Sequence, residues 1–168
     1  MGGAYNGTVE SVTQTLSYVI NDRAAHPGYL RYAGKPVIYF WNQARFSAAQ
    51  WASIRQQVDP NRNTIWVAEG TNTAFLPTFD GLYLFNVAWS GNPASTAASS
   101  AQRNRQAGGW FYTPTVHPGW DEQAIAAREN RSNPTAAQAR ANGAYLTRSW
   151  NGAVSSGAGV IMIVSWNE

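Results

Sequence analysis

The polar residues of this sequence gather where its short apolar runs end. Asn42 and Gln43 follow one run, Glu69 the next, Asn86 a third, His117 and Asp121 a fourth, and Asn167 and Glu168 the last. Tryptophans 41, 66, 89, 120 and 166 flank them. Amides, an imidazole and carboxylates beside aromatic rings suit a polyol, since rings stack on C–H faces and amides bond hydroxyls. The same rings also read as a large aromatic core.

Cleavage of a glycosidic bond normally needs two carboxyl groups, one protonated for the leaving group and one ionised. The chain has nine acids. Asp22, Asp59, Glu122 and Glu129 fall in helices or at their ends and read as solvated, and Glu10 suits a first helical turn. Glu69, Asp80, Asp121 and Glu168 remain. Glu168 leads as the catalytic residue, because it directly follows an apolar run, the place where α/β enzymes keep their chemistry. Each has a plainer alternative. Glu168 reads also as a solvated terminus, Glu69 as the partner of an arginine, and Asp121 as a helix cap. His117 reads also as a loop residue bonded to backbone, and His26 before Pro27 as structural. The expected substrate-binding set is Trp41, Asn42, Glu69, Asn86, His117, Trp120, Asp121, Trp166 and Asn167.

These residues need elements to hold them. Val9, Val12, Leu16, Val19 and Ile20 make a helical face starting at Thr8, a plausible N-cap. Residues 36–41 read as a buried strand, with Pro36 at its first position. Ser47 and Gln50 have capping-box spacing, and Phe46 and Trp51 that of a hydrophobic staple, so a helix starts at Ser47 and ends at Asp59-Pro60. Strands follow at 64–68 and 81–85, then a helix from about Ala94 to Ala107 closed by Gly108-Gly109. A strand at 110–113 runs into the loop 114–121 and a short helix. Asn133-Pro134 reads as an N-cap with Pro at N1. It opens a helix whose face is Leu146, Trp150, Ala153 and Val154. The last strand, 160–165, reads as buried on both faces.

The order α-β-α-β-β-α-β-α-β implies a parallel sheet. A (β/α)8 barrel takes eight strands and roughly 250 residues, so five strands make an incomplete one. An open doubly wound sheet is the alternative, but no Gly-rich phosphate loop follows any strand. The first helix lacks a preceding strand, which is expected to lie before Met1. No linker or internal repeat divides residues 1–168, so one partial domain is expected.

Composition narrows the function. Charged residues are 12% of the 168-residue chain, against about 25% in soluble proteins generally. Trp and Tyr number eight each. The net charge is +3, but Lys35 is the only lysine and the arginines are scattered, so nucleic acid is not an expected partner. No apolar run is long enough to span a membrane, and no signal peptide follows Met1. Cysteine is absent, which excludes disulfides and leaves the compartment unassigned. The two histidines and few acids show no metal-ligand spacing, and no cofactor is expected.

The motifs resemble glycoside hydrolase family 99 and its endo-α-mannosidase-like relatives. The carrying residues are His26-Pro27-Gly28-Tyr29-Leu30-Arg31, Gly34-Lys35-Pro36-Val37-Ile38-Tyr39 and Pro118-Gly119-Trp120-Asp121. The Tyr145/Trp150 helix and the closing Ser165-Trp166-Asn167-Glu168 complete them. The resemblance covers nearly the whole chain and implies a (β/α)8 TIM-barrel fold, of which about five β/α units are present and early and last strands are missing. It also implies endo-acting cleavage of α-mannosidic or related bonds in an oligo- or polysaccharide. Glu168 matches the first of two family glutamates, thought to act as a base on the sugar 2-hydroxyl and give a 1,2-anhydro sugar. The second, three positions further on, protonates the leaving group and has no counterpart here, so the isolated chain is expected to be inactive and marginally stable. Trp166 stands where the family usually has Phe.

Two other functions compete. In retaining β-glycosidases an Asn-Glu pair ends the fourth barrel strand, with Glu as acid/base, but here five strands precede Glu168. A non-catalytic carbohydrate-binding or degenerate barrel relative would use the tryptophans as stacking platforms.

Overall fold

The computed structural model describes residues 7–134 and 137–165. Strand β1 (Arg31–Tyr32) forms a hairpin with β2 (Lys35–Phe40). From β2 the sheet continues in parallel through β3 (Ile65–Glu69), β4 (Gly81–Tyr83) and β5 (Phe111–Thr113). Beyond Pro114 the same segment becomes β6 (Thr115–Val116), which pairs in parallel with β7 (Met162–Ile163). Pro114 has no N–H to give to a neighbour, but its carbonyl accepts from Met162 N at 3.0 Å. One bent segment thus serves β4 with its first half and β7 with its second. The strand order follows the sequence without reversal. This is the winding of a barrel, and it removes the doubly wound alternative, whose order reverses at a switch point. The fold is α/β, a curled half of a TIM-type barrel.

Helices α1 (Val9–Asn21), α2 (Ala48–Val58), α3 (Pro93–Gln106), α4 (Gln123–Arg128) and α5 (Ala144–Ser155) accompany the strands. Their starts follow local chemistry. Thr8 Oγ1 accepts from Ser11 N at 3.2 Å. Ser47 Oγ accepts from Gln50 N and Gln50 Oε1 from Ser47 N, and Phe46 meets Trp51 edge-on at 5.5 Å. Asn92 caps α3 with Pro93 behind it.

Alternation divides the strands between two cores. Ile38, Phe40, Trp66, Ala68 and Leu82 face the helices, where they meet Val12, Leu16, Trp51 and Ile54. Val37, Ile65, Val67, Tyr83 and Phe111 face the concave side, under Val160 and Met162.

The base of the sheet is tied by charge. Arg55, buried on α2, pairs with Asp80 at 2.9 Å and Asp59 at 3.5 Å. It donates to the carbonyls of Thr78 and Thr64. Asp80 also accepts from Trp66 N (2.8 Å) and Trp110 Nε1 (3.3 Å). Asp80 is therefore a structural acid at the strand starts, far along the strand from any strand-end chemistry. Asp59 is not solvated either: it is buried and accepts from Asn63 N, Thr64 N and Thr64 Oγ1. Glu122 is only 15% exposed and pairs with Arg131 at 3.3 Å, so it too departs from the solvated expectation.

Two elements differ from the sequence reading. The helix expected from Asn133-Pro134 starts at Ala144, because Ala141, Asn142 and Gly143 all have positive φ and no α-helix runs through three such residues. Its buried face is Tyr145, Ser149, Gly152 and Ala153, leaving Leu146, Trp150 and Val154 exposed. Gly152 sets this rotation: a Cβ there would lie 2.3 Å from Ala94 Cα, so only a bare backbone lets α5 approach α3. The last strand is Met162–Ile163, and it is not buried on both faces, since Ile163 is 48% exposed. Among the described residues β7 pairs with β6 alone.

Two stability predictions follow from these contacts. Asp80→Ala strands the Arg55 charge and the Trp66 amide. The expected cost is about 3–5 kcal/mol, read as a lower urea midpoint, and a loss under about 1 kcal/mol would refute the role given to the pair. Gly81→Ala puts a Cβ 1.4 Å from the Phe111 carbonyl oxygen and should break the β4–β5 pairing. Gly91→Ala meets nothing within 4 Å and should stay within about 0.5 kcal/mol of the parent in thermal melts.

Candidate active site

The carboxyl ends of the parallel strands share one rim. After β2 come Trp41, 73% exposed, and Asn42 in the left-handed region at φ 58°. Glu69 ends β3 on the same face as Ile65 and Val67, which is the concave one. After β4 the chain loops through Asn86 and the exposed Trp89 before α3. After β6 come His117, Pro118, Gly119, Trp120 and Asp121, and after β7 comes Ser165. Trp166, Asn167 and Glu168 lie outside the described residues.

Below Glu69 lies a floor that the sequence reading missed. Tyr39 and Tyr83 meet edge-on at 5.2 Å, and the Tyr39 hydroxyl bonds Thr113 Oγ1 at 2.8 Å. Burial, then the charges of Glu69 and Tyr39, push the Tyr83 phenol up to about 12. Burial also raises Tyr39, against the pull of Thr113. Both phenols therefore stay neutral, as donors and acceptors without charge. The signal was available: inward positions recur every second residue back from the strand end. Gln43 takes no part in the rim surface. It is buried, donates to the Glu69 carbonyl and accepts from Trp51 Nε1 at 2.7 Å, tying β2 to β3.

A cavity of about 780 Å³ opens beside β6 and β7, between Pro118–Glu122, Ala137–Arg140 and Ser165. Its shape depends on Gly119 at φ 146°, where a Cβ would lie 2.8 Å from Arg140 Cγ and 2.9 Å from the Gln138 carbonyl. Trp120 pairs antiparallel with Gln138 through bonds of 2.9 and 2.7 Å. Its Nε1 is buried with no partner among the described residues. Asp121 is exposed and accepts from Gln123 N at 3.0 Å, at the start of α4. Arg131 reaches Glu122 and Glu129 along the same wall.

The expected residues thus fall into different environments. Trp41, Asn42 and Asp121 are open to solvent, while Glu69, Asn86 and Trp120 are half-buried. Asn86 is held in an Asx turn, its Oδ1 accepting from Ala88 N at 2.7 Å. His117 is fully buried. Trp66, read as a flanking ring, faces the helices instead, with Nε1 on Thr64 Oγ1 at 2.8 Å. Among the described residues no three histidines or acids could hold a metal ion.

This half-barrel is similar to solved structures. The family 99 endo-α-mannosidase from Bacteroides thetaiotaomicron, in complex with bis-tris-propane, is 25% identical with a TM-score of 0.78, over 97% of this chain and 54% of that one. A second structure of that endo-α-mannosidase gives the same identity and TM-score over 51% of its length. A glycoside hydrolase-like protein shares the fold at 16% identity and a TM-score of 0.71. The chain spans about half the length of the structures it matches. No curated protein matches it in sequence. The sequence profile of glycosyl hydrolase family 99 matches residues 4–168, and the chain belongs to that family.

Proposed function

We propose that this chain supplies one side of the glycan cleft of a glycoside hydrolase that cleaves α-mannosidic or related bonds within a chain of sugars. The observation that carries it is the rim: Trp41, Asn42, Glu69, Asn86 and the Trp120–Asp121 loop follow successive parallel strands, beside a cavity of about 780 Å³. A rim with exposed indoles and few charges suits neutral sugars, since rings take the C–H faces and amides the hydroxyls.

The catalytic role goes to Glu168, by its match to the first family glutamate. As a base it takes the proton of the sugar 2-hydroxyl while O2 closes on the anomeric carbon and the glycosidic bond breaks. The departing oxygen needs a proton from a second acid, and the sequence motif gives this chain only the first glutamate. General acid help is worth typically about 10²–10⁴-fold, so the 168-residue chain binds glycan without turning it over.

Calorimetry with linear manno-oligosaccharides should show binding by the folded chain, and Trp41→Ala and Trp89→Ala should each weaken it by about five- to tenfold. Product release by the 168-residue chain at enzymatic rates would overturn the inactivity. A folded chain that binds no manno-oligosaccharide would overturn the glycan reading.

A further inference from the structure

His117 stands at the mouth end of β6 and is fully buried. The Val87 N–H donates to its Nε2 at 3.4 Å, and the Phe85 carbonyl acts on the same ring. Val87 follows Asn86 directly, so the Nε2 bond holds the β4 loop beside that residue, while the ring's Nδ1 is buried with no hydrogen-bond partner among the described residues. The ring also meets Trp120 edge-on at 5.8 Å. Behind it, His117 N donates to Ser149 Oγ of α5 at 3.3 Å. The Tyr145 hydroxyl, also of α5, donates to the carbonyls of Val87 (3.3 Å) and Ser90 (3.0 Å).

We propose that His117 is a positioning residue: as a neutral imidazole it clamps the β4 loop, with Asn86 and Trp89, against the Trp120 wall of the cavity. This rests on the glycan reading of the rim for its purpose, though not for its geometry. The clamp needs a lone pair at Nε2. A protonated ring presents a donor there, facing the Val87 N–H, and the bond is lost. Burial pushes the pKa of His117 down from 6.5, and the Phe85 carbonyl opposes part of that.

The surroundings hold few other charges. α5 brings Tyr145, raised by burial, with Arg148 over its ring at 5.7 Å. The loop past Trp120 brings Asp121 and Glu122, and the β4 loop from Phe85 to Ser90 carries no ionisable side chain. Because the folded pKa lies below the unfolded 6.5, the clamp contributes its full stability above 6.5 and is lost as pH falls through the lower folded value.

The test compares His117→Gln, whose side-chain oxygen can accept near the Nε2 position and does not titrate, with His117→Leu. Site-resolved hydrogen exchange reads protection of the Val87 amide, and calorimetry reads affinity for a linear manno-oligosaccharide. Leu should cost about tenfold in Val87 protection and weaken the sugar, while Gln keeps both within about twofold. As pH is lowered from about 7 through and below 6.5, within the range where the chain stays folded, the parent should lose Val87 protection and the Gln variant should not. The clamp is overturned if Leu leaves Val87 unchanged, or if Gln loses as much as Leu. Should the Leu variant not fold, matching pH responses of parent and Gln variant overturn it equally. Absence of sugar binding by the folded parent sinks the glycan reading, and the exchange comparison still decides the clamp.

Discussion

Asp80 is the knot on which the sheet depends. Its carboxylate takes the Arg55 guanidinium and the Trp66 amide, its own N–H donates to the Trp66 carbonyl, and its carbonyl accepts from Trp110 N and Phe111 N. One residue therefore sets the start of β3, β4 and β5 relative to α2. The cost is two charges taken out of water, a penalty that only dense hydrogen bonding offsets. Here it is offset in part: Arg55 lies over the Trp66 ring at 4.8 Å and pairs with Asp59 at 3.5 Å, while its Nε is buried with no partner among the described residues. Burial nonetheless lowers the Arg55 pKa against the pull of Asp80. The interaction gives register more than net stability. Gly81 depends on it, because the β4–β5 approach it permits leaves no room for a methyl group.

A base fixed this way frees the other end. At the strand starts the polar groups are buried and committed to one another; at the carboxyl ends Trp41, Asn42, Trp89 and Asp121 remain open. Barrels divide labour in this manner, with stability at one face and chemistry at the loops of the other. Pro114 links the two ends. By ending one ladder and beginning the next it curls the sheet, and the curl brings the 118–121 loop around to face Ser165 across the cavity.

Local chemistry was legible in the sequence and long-range chemistry was not. Thr8, Ser47 and Gln50 announce their helices because a cap and its amides lie within three residues. Asn133-Pro134 carries the same signal without a helix, overridden by the backbone of 141–143 and by the Trp120–Gln138 pairing. The face of α5 was misjudged because apolar periodicity marks bulk, whereas α3 and α5 meet through Gly152 and Ala94. Asp80 was mistaken for a candidate because its partner lies 25 residues away on α2, a pairing that no spacing rule encodes. For the rim, strand ends locate residues along the chain but say nothing of burial. Trp66 and His117 look like Trp41 and Asn42 in sequence and sit in dry surroundings in the fold.

The low charge of the chain bears on the chemistry of the rim. Glu69 stands over two phenols that burial keeps neutral, and after burial its charge raises Tyr83 further. In a polar but nearly uncharged floor a single carboxylate is weakly screened, so its influence extends further than it would on an ordinary charged surface. The floor therefore acts by shaping the field and rigidity around Glu69. The rim above it is held by the buried contacts of Gln43 at one end and His117 at the other.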